Sequence, residues 1–240
     1  MWRMNCTIIM NLPKLPKILE TMHRMVDRPE LYTEQEQYDY IRYITGLMQK
    51  TGKIKTEYFG SDNLPKDGGY LLCPNHQGKY DAYSIVSAHE KPLSVVMDRE
   101  RSYFVLVNEI IEVLRGQRMD IQNVRQALTV INKMADELKD GRRYIIFPEG
   151  GYSDEKKHTL WDFRPGCFKA APKSGVPIIP VVLVDSYKVY NSWQLTPVKT
   201  QVHFLNPIPF YEYADLNTTQ ISAMVKERIA GKLSELGYQP

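Results

Sequence analysis

The chain has little of what marks a secreted, metal-stapled or membrane-spanning protein. Cysteine is scarce: Cys6, Cys73 and Cys167 are the only three in 240 residues, an odd number with no C-x-x-C pair. That argues against a disulfide framework and against a thiolate zinc site. No apolar run approaches the roughly 18 residues of a membrane-spanning helix. The best one, residues 176–184, is short and contains two prolines. The N-terminus, MWRMNCTIIMNLPK, has a stub of apolar residues but no small-residue cleavage site. Internal repeats and low-complexity tracts are missing as well. Charge imbalance is slight: 31 Lys and Arg against 28 Asp and Glu leave a formal net charge of +3. A nucleic-acid binder would carry a dense basic stripe, so no nucleic-acid partner is expected. These absences point to a cytoplasmic protein without a transmembrane helix or signal peptide, with a peripheral membrane role left open.

What is present suits a packed core, since 43% of the residues are hydrophobic. A turn-rich connector, SDNLPKDGG at residues 61–69, separates an N-terminal helical segment, residues 1–59, from a main body, residues 60–240. In the first part, residues 15–26 and 34–50 place Leu, Ile, Met and Tyr at helical spacing. After the connector the periods alternate. Strands are expected at residues 70–73, 93–97, 143–147, 176–184 and 201–210, and helices at 82–88, 102–114, 124–138, 168–171 and 221–236. In the helix over 124–138, Asn123 is the expected cap, and Val124, Leu128, Ile131, Ala135 and Leu138 the buried face. Such alternation predicts an α/β domain with a mixed, largely parallel sheet flanked by helices. Ligands of such sheets sit at the carboxyl ends of strands, where both NHQGKYD (residues 75–81) and FPEG (147–150) fall.

A neutral imidazole takes a proton from a hydroxyl when its tautomer is fixed, commonly by a carboxylate on the other ring nitrogen. His76 and Asp81 have suitable spacing, and Asp81 is also placed to cap the helix after it. The chain lacks a G-x-S-x-G nucleophile elbow; GYSDE at 151–155 imitates one only in part. A base with no serine or cysteine to activate takes its proton from a hydroxyl of the substrate. Glu149 supplies a carboxylate at the next strand end, and the Gly150–Gly151 backbone can approach a developing oxyanion. His89, His158 and His203 show no ligand spacing, so no metal site is expected. Cys73 and Cys167 read as small buried apolar groups, and Tyr187 and Tyr190 as packing.

Together, NHQGKYD, FPEG, FRPGCFKAA and VPIIPV resemble, in order and spacing over residues 60–210, the glycerophospholipid acyltransferases typified by lysophosphatidic acid acyltransferase. The resemblance implies that His76 is the base, Asp81 its orienter, and Glu149 and Gly150 part of acceptor binding. It also implies transfer of a fatty acyl group from acyl-coenzyme A or acyl carrier protein, as co-substrate and not cofactor, to the free hydroxyl of a lysophospholipid. Two family arginines are replaced: Ile121 stands where one follows an aspartate, and Tyr152 where the other follows the FPEG glycine. Arg118, Arg164 and Lys169 are the candidates to bind phosphate in their place, Arg164 and Arg118 foremost. The alternatives are another lysolipid or glycerol-phosphate acceptor, a metal-dependent hydrolase built on His76, Asp81, Glu149 and His158, and a lipid-binding protein without turnover.

Residues 1–26 carry Arg3, Lys14, Lys17 and Arg24 against one acidic residue, Glu20. Trp2, Ile8, Ile9, Met10, Leu15, Ile18, Leu19, Met22 and Met25 lie among them. That composition predicts in-plane docking on an anionic membrane surface, at its cytoplasmic face.

Overall fold

Seven strands form one sheet in the computed structural model, which describes residues 2–153, 155–191 and 196–240. They are β1 (Ile54–Phe59), β2 (Tyr70–Pro74), β3 (Ser94–Asp98), β4 (Gln117–Met119), β5 (Arg143–Ile145), β6 (Ile178–Val184) and β7 (Val198–Phe204). Across the sheet their order is β1-β7-β6-β2-β5-β3-β4. Only β6 and β7 pair antiparallel; the other neighbours are parallel. Five strands therefore end at one edge of the sheet, β2 in their midst, and β1 and β7 begin at that edge. The helices are α1 (Trp2–Asn11), α2 (Leu15–Asp27), α3 (Glu34–Gly52), α4 (Asp81–Ala88), α5 (Val107–Val113), α6 (Val124–Lys139), α7 (Ala170–Ser174), α8 (Lys188–Asn191), α9 (Phe210–Tyr213) and α10 (Thr218–Glu235).

Both faces of the sheet are covered, which is why its central strands read as unbroken apolar runs. Successive side chains on a strand point to opposite faces. Along β2, Tyr70 and Leu72 join one core with Ile18 and Met22 of α2, Ile41 of α3 and Ile85 of α4. Leu71 and Cys73 join the other, with Met134 and Leu138 of α6 and Val225 and Ile229 of α10. Strand β6 divides likewise, Ile179, Val181 and Leu183 against Ile178, Val182 and Val184. Each such buried side chain contributes about 1.5–3 kcal/mol relative to exposure.

The expected mixed, largely parallel sheet is present, with local differences that have physical causes. The expected helix over 102–114 is broken into a short 3-10 turn, Arg101–Tyr103, and α5, because Leu106 sits at φ 72°, where no helix continues. The strand expected over 201–210 begins earlier and stops at Phe204; Pro207 and Pro209 follow it. Helix α6 has the expected Asn123 cap, whose side chain accepts from Gln126 N at 3.1 Å. Its buried face is Val130, Ile131, Met134, Ala135 and Leu138, while Val124 and Leu128 face solvent, contrary to the sequence pattern. Strands β1 and β4 were not foreseen. β1 lies before residue 60 yet pairs with β7, so the sheet begins within the segment set apart as helical.

The N-terminal segment divides in two. On α2 the apolar face is in the core through Ile18, Met22 and Met25. On α1, Ile8, Ile9 and Met10 are exposed, as is Leu12 just after it. Arg3, read as a lipid-facing base, is instead fully buried: it donates to Gly52 O at 2.6 Å and Thr196 O at 2.7 Å. Gly52 is the last residue of α3, where helix carbonyls lack internal partners and attract a cation. Trp2, as a side chain, and Asp154 lie outside the described residues. Among those residues no helix is long and apolar enough to cross a membrane.

Candidate active site

The chain leaves β2 at Pro74 but stays tied to β6 through side chains. Asn75 Nδ2 donates to Leu183 O at 3.1 Å, and its Oδ1 accepts from Leu183 N at 2.7 Å, a rung of ladder made by an amide. Two residues on, Gln77 Oε1 accepts from Ser186 N at 3.1 Å. Alternation then directs His76, between them, away from that anchor. This answers why so many polar residues occupy one turn: they continue the sheet where the backbone no longer can.

Asp81 is fully buried at the first position of α4. It does not cap that helix. Its Oδ2 turns back to accept from Gln77 N at 2.6 Å, Gly78 N at 2.9 Å and His76 Nδ1 at 2.7 Å, and its Oδ1 accepts from the Ser186 hydroxyl. With an acceptor opposite Nδ1, that nitrogen carries the proton, and Nε2 is the free base. The ring stacks on Phe147, centroids 4.1 Å apart, and meets Tyr152 edge-on at 4.6 Å. Tyr152, in place of the family's arginine, therefore packs beside the imidazole.

Glu149 is buried, and both its oxygens are engaged within the protein. Oε1 accepts from His76 N at 2.8 Å; Oε2 accepts from Trp161 N at 2.7 Å and from the Lys156 ammonium. Lys156 also donates to His76 O at 2.8 Å and lies over the Trp161 ring. Burial pulls its ammonium below the ordinary value, against the opposing pull of Glu149. The pair thus clamps the loop after β5 to the His76 backbone, and the carboxylate read as an acceptor ligand faces inward. The Gly150 N–H donates to Phe147 O at 3.0 Å, closing the Pro-Glu turn and leaving Gly151 as the other amide of the pair. Gly150, at φ 68°, lies so close to Arg164 that a Cβ would stand 2.6 Å from Nε. The Arg164 side chain is exposed there, beside the strand end carrying FPEG.

Arg118 is placed differently. It is on β4, three strands from β2, about 14 Å across at ordinary strand spacing. Its Nε donates to Ser102 Oγ at 3.0 Å, NH2 to Asn108 Oδ1 at 2.9 Å, and NH1 faces Glu112 at 2.6 Å. Lys169 is exposed beyond Arg164. Cys73 is fully buried, which pushes its thiol well up, and burial raises that of Cys167 to about 11; neither is a thiolate nucleophile at neutral pH. Burial lowers His89 and His203 to about 4, making them weak bases. His158 faces Asp185 at 3.2 Å, and among the described residues no three His, Cys, Asp or Glu groups gather to hold a metal.

The sequence reading missed Asn75, Gln77, Lys156, Trp161 and Ser186. Asn75 and Gln77 had a usable signal, the polar alternation around His76; Ser186 meets the site only through pairing across strands, and Lys156 and Trp161 only through folding of the loop after β5.

A sequence model of the acyltransferase family matches residues 55–184. The chain is 24% identical over 195 residues to the 1-acyl-sn-glycerol-3-phosphate acyltransferase of Saccharomyces cerevisiae, a match covering 78% of this chain and 62% of that one. It is 26% identical over 170 residues to the enzyme of that name from Salmonella typhimurium, covering 70% and 69%. The crystal structure of the 1-acyl-sn-glycerophosphate acyltransferase of Thermotoga maritima shares the fold, with TM-score 0.75, 22% identity, and 97% and 93% of the two chains covered.

Proposed function

The chain belongs to the acyltransferase family, and on that premise we propose that it moves a fatty acyl group from an acyl thioester to the free hydroxyl of lysophosphatidic acid, giving phosphatidic acid. The donor is acyl-coenzyme A or acyl carrier protein. The observation that carries this reading is the His76–Asp81 pair at 2.7 Å, in a chain whose Cys73 and Cys167 thiols are held neutral by desolvation. Among the described residues no serine or cysteine is hydrogen-bonded to the His76 ring, so the base acts on the substrate's own hydroxyl.

In that mechanism, His76 Nε2 takes the acceptor's hydroxyl proton as its oxygen attacks the thioester carbonyl. The new C–O bond forms, the tetrahedral oxyanion collapses, the C–S bond breaks, and the imidazolium returns the proton to the departing sulfur. Asp81 fixes the ring and stabilises the imidazolium. The Gly151 amide, next to the Tyr152 that packs on the imidazole, is the candidate to meet the oxyanion, and Arg164, exposed over Gly150, the candidate for the acceptor's phosphate. Arg118 has its three donor nitrogens engaged, which favours Arg164 for that role. The exposed apolar residues of α1, with Lys14 and Lys17, support a peripheral position at an anionic membrane.

The test is to incubate purified protein with lysolipids and both donor types and to identify products by mass spectrometry. Phosphatidic acid should form, and His76→Ala should lower the rate by at least about a hundredfold without loss of fold. Normal turnover in folded His76→Ala protein would remove the base from the mechanism. Loss of turnover with a chelator, restored by zinc, would favour metal-dependent hydrolysis. For the membrane contact, Ile9→Ser/Met10→Ser protein should float less with anionic vesicles than the unaltered chain.

A further inference from the structure

The edge of the sheet at which His76 emerges carries a second exposed apolar surface, far from α1. The segment after β3 exposes Tyr103, Phe104 and Val105, the last two at 65% and 74%. The segment after β4 and the first turns of α6 expose Ile121, Val124 and Leu128, with Val124 at 78%. These two segments are neighbours, because β3 and β4 pair with Asp98 opposite Met119, and Arg99 N donates to Met119 O at 3.0 Å. Three exposed arginines, Arg99, Arg101 and Arg125, accompany them, against the exposed carboxylate of Glu100.

The topology sets this lip across the edge from the start of α1, while α2 reaches back to pack against α5. Arg3 binds Gly52 O and Thr196 O, just before β1 and β7 begin, so α1 lies at the same edge on its β1 side. The lip lies on its β4 side. Six strand spacings, about 29 Å, separate the two flanks, and β2 with His76 falls between them. Two apolar, basic-flanked surfaces at either end of one edge can rest together on a plane. A single patch would leave the protein free to tilt.

We infer that the lip is a second footing on an anionic bilayer, which together with α1 turns the mouth of the His76 site toward the lipid. The partner's chemistry follows from the surface: apolar side chains to enter the acyl boundary and arginines to meet lipid phosphates. The inference rests on the proposed function only in taking the acceptor to be a lipid.

The full chain is compared with Phe104→Ser/Val105→Ser/Val124→Ser and with Arg99→Gln/Arg101→Gln/Arg125→Gln, all shown folded by thermal melting. Tyr103 is left in place because it stacks beneath Arg118. Binding is measured on vesicles of phosphatidylglycerol and phosphatidylcholine, and turnover on a short-chain lysophosphatidic acid below its micellar concentration. The apolar variant should bind vesicles at least about tenfold more weakly, and the arginine variant should lose salt-dependent affinity. Turnover on the dispersed acceptor should stay within about twofold for both. Vesicle binding equal to the unaltered chain in both variants overturns the footing, as does a change from dimer to monomer on sizing, which would make the lip a contact with a second copy. Weakened vesicle binding in a chain that acylates no lysolipid keeps the footing and rejects the proposed function instead.

Discussion

His76 meets Asp81 through Nδ1 at 2.7 Å, and His158 meets Asp185 through Nε2 at 3.2 Å. Both carboxylates are near the same sheet edge, and they are linked: Ser186, next to Asp185, bonds Asp81. Their surroundings differ. Asp81 is buried and gathers two backbone amides, a hydroxyl and one ring nitrogen. Asp185 is shared between His158 and Lys188, the latter at 2.7 Å, and sits at φ 63°. Burial works to raise its carboxyl, but His158 and Lys188 hold it below the ordinary range. The His158 ring is further stacked on Tyr238, centroids 4.0 Å apart. A short His–Asp distance is thus not enough to make a base. The carboxylate must itself be held in place, as the amides of Gln77 and Gly78 and the Ser186 hydroxyl hold Asp81, and the other ring nitrogen must face the substrate.

Breaking the first pair should have the largest consequence. Asp81→Asn should lower turnover by between about a hundredfold and ten-thousandfold, measured as thiol release from the donor, since it removes the charge that supports the imidazolium. Next comes the clamp behind the pair. Lys156→Met leaves Glu149 as a buried uncompensated charge and should cost about 3–5 kcal/mol in urea denaturation, while a Lys156→Met/Glu149→Leu double variant should regain part of it. If the single and double variants unfold alike, the ion pair does not hold the loop.

Ser186→Ala tests the link between the pairs. It should reduce kcat about tenfold with KM unchanged, because one oxygen of Asp81 loses its donor. Arg164→Ala should raise KM for lysophosphatidic acid about fivefold and leave kcat nearly unaltered, the form taken by lost ground-state binding. Unchanged KM would remove Arg164 from phosphate binding. The smallest effect is expected at the second pair: Asp185→Asn, a residue that tolerates the left-handed backbone there, should keep turnover within about twofold. A loss matching that of Asp81→Asn would abolish the distinction between the two pairs.

How much of this was legible in the sequence follows from how far apart the interacting residues lie. The alternation of strands and helices and the apolar run of β6 gave the α/β sheet, because each is a local pattern. His76 and Asp81 were found for the same reason, five residues apart in one turn. Lys156 looked like one more base in EKKH, and only folding of its loop brings it to Glu149 and His76 O. Strand β4 has three residues and a polar centre, too little pattern to recognise. Val124 and Leu128 fit the helical period but fall beyond the sheet that would have covered them.

The support of Asp81 has a temporal side. The dyad and its two amide donors span residues 76–81, so a short piece of chain can assemble them within one turn. The Ser186 hydroxyl comes 105 residues later and arrives only when β6 has docked beside β2. During refolding, helix content should therefore appear before turnover, and the delay between them reads the time this long loop takes to close.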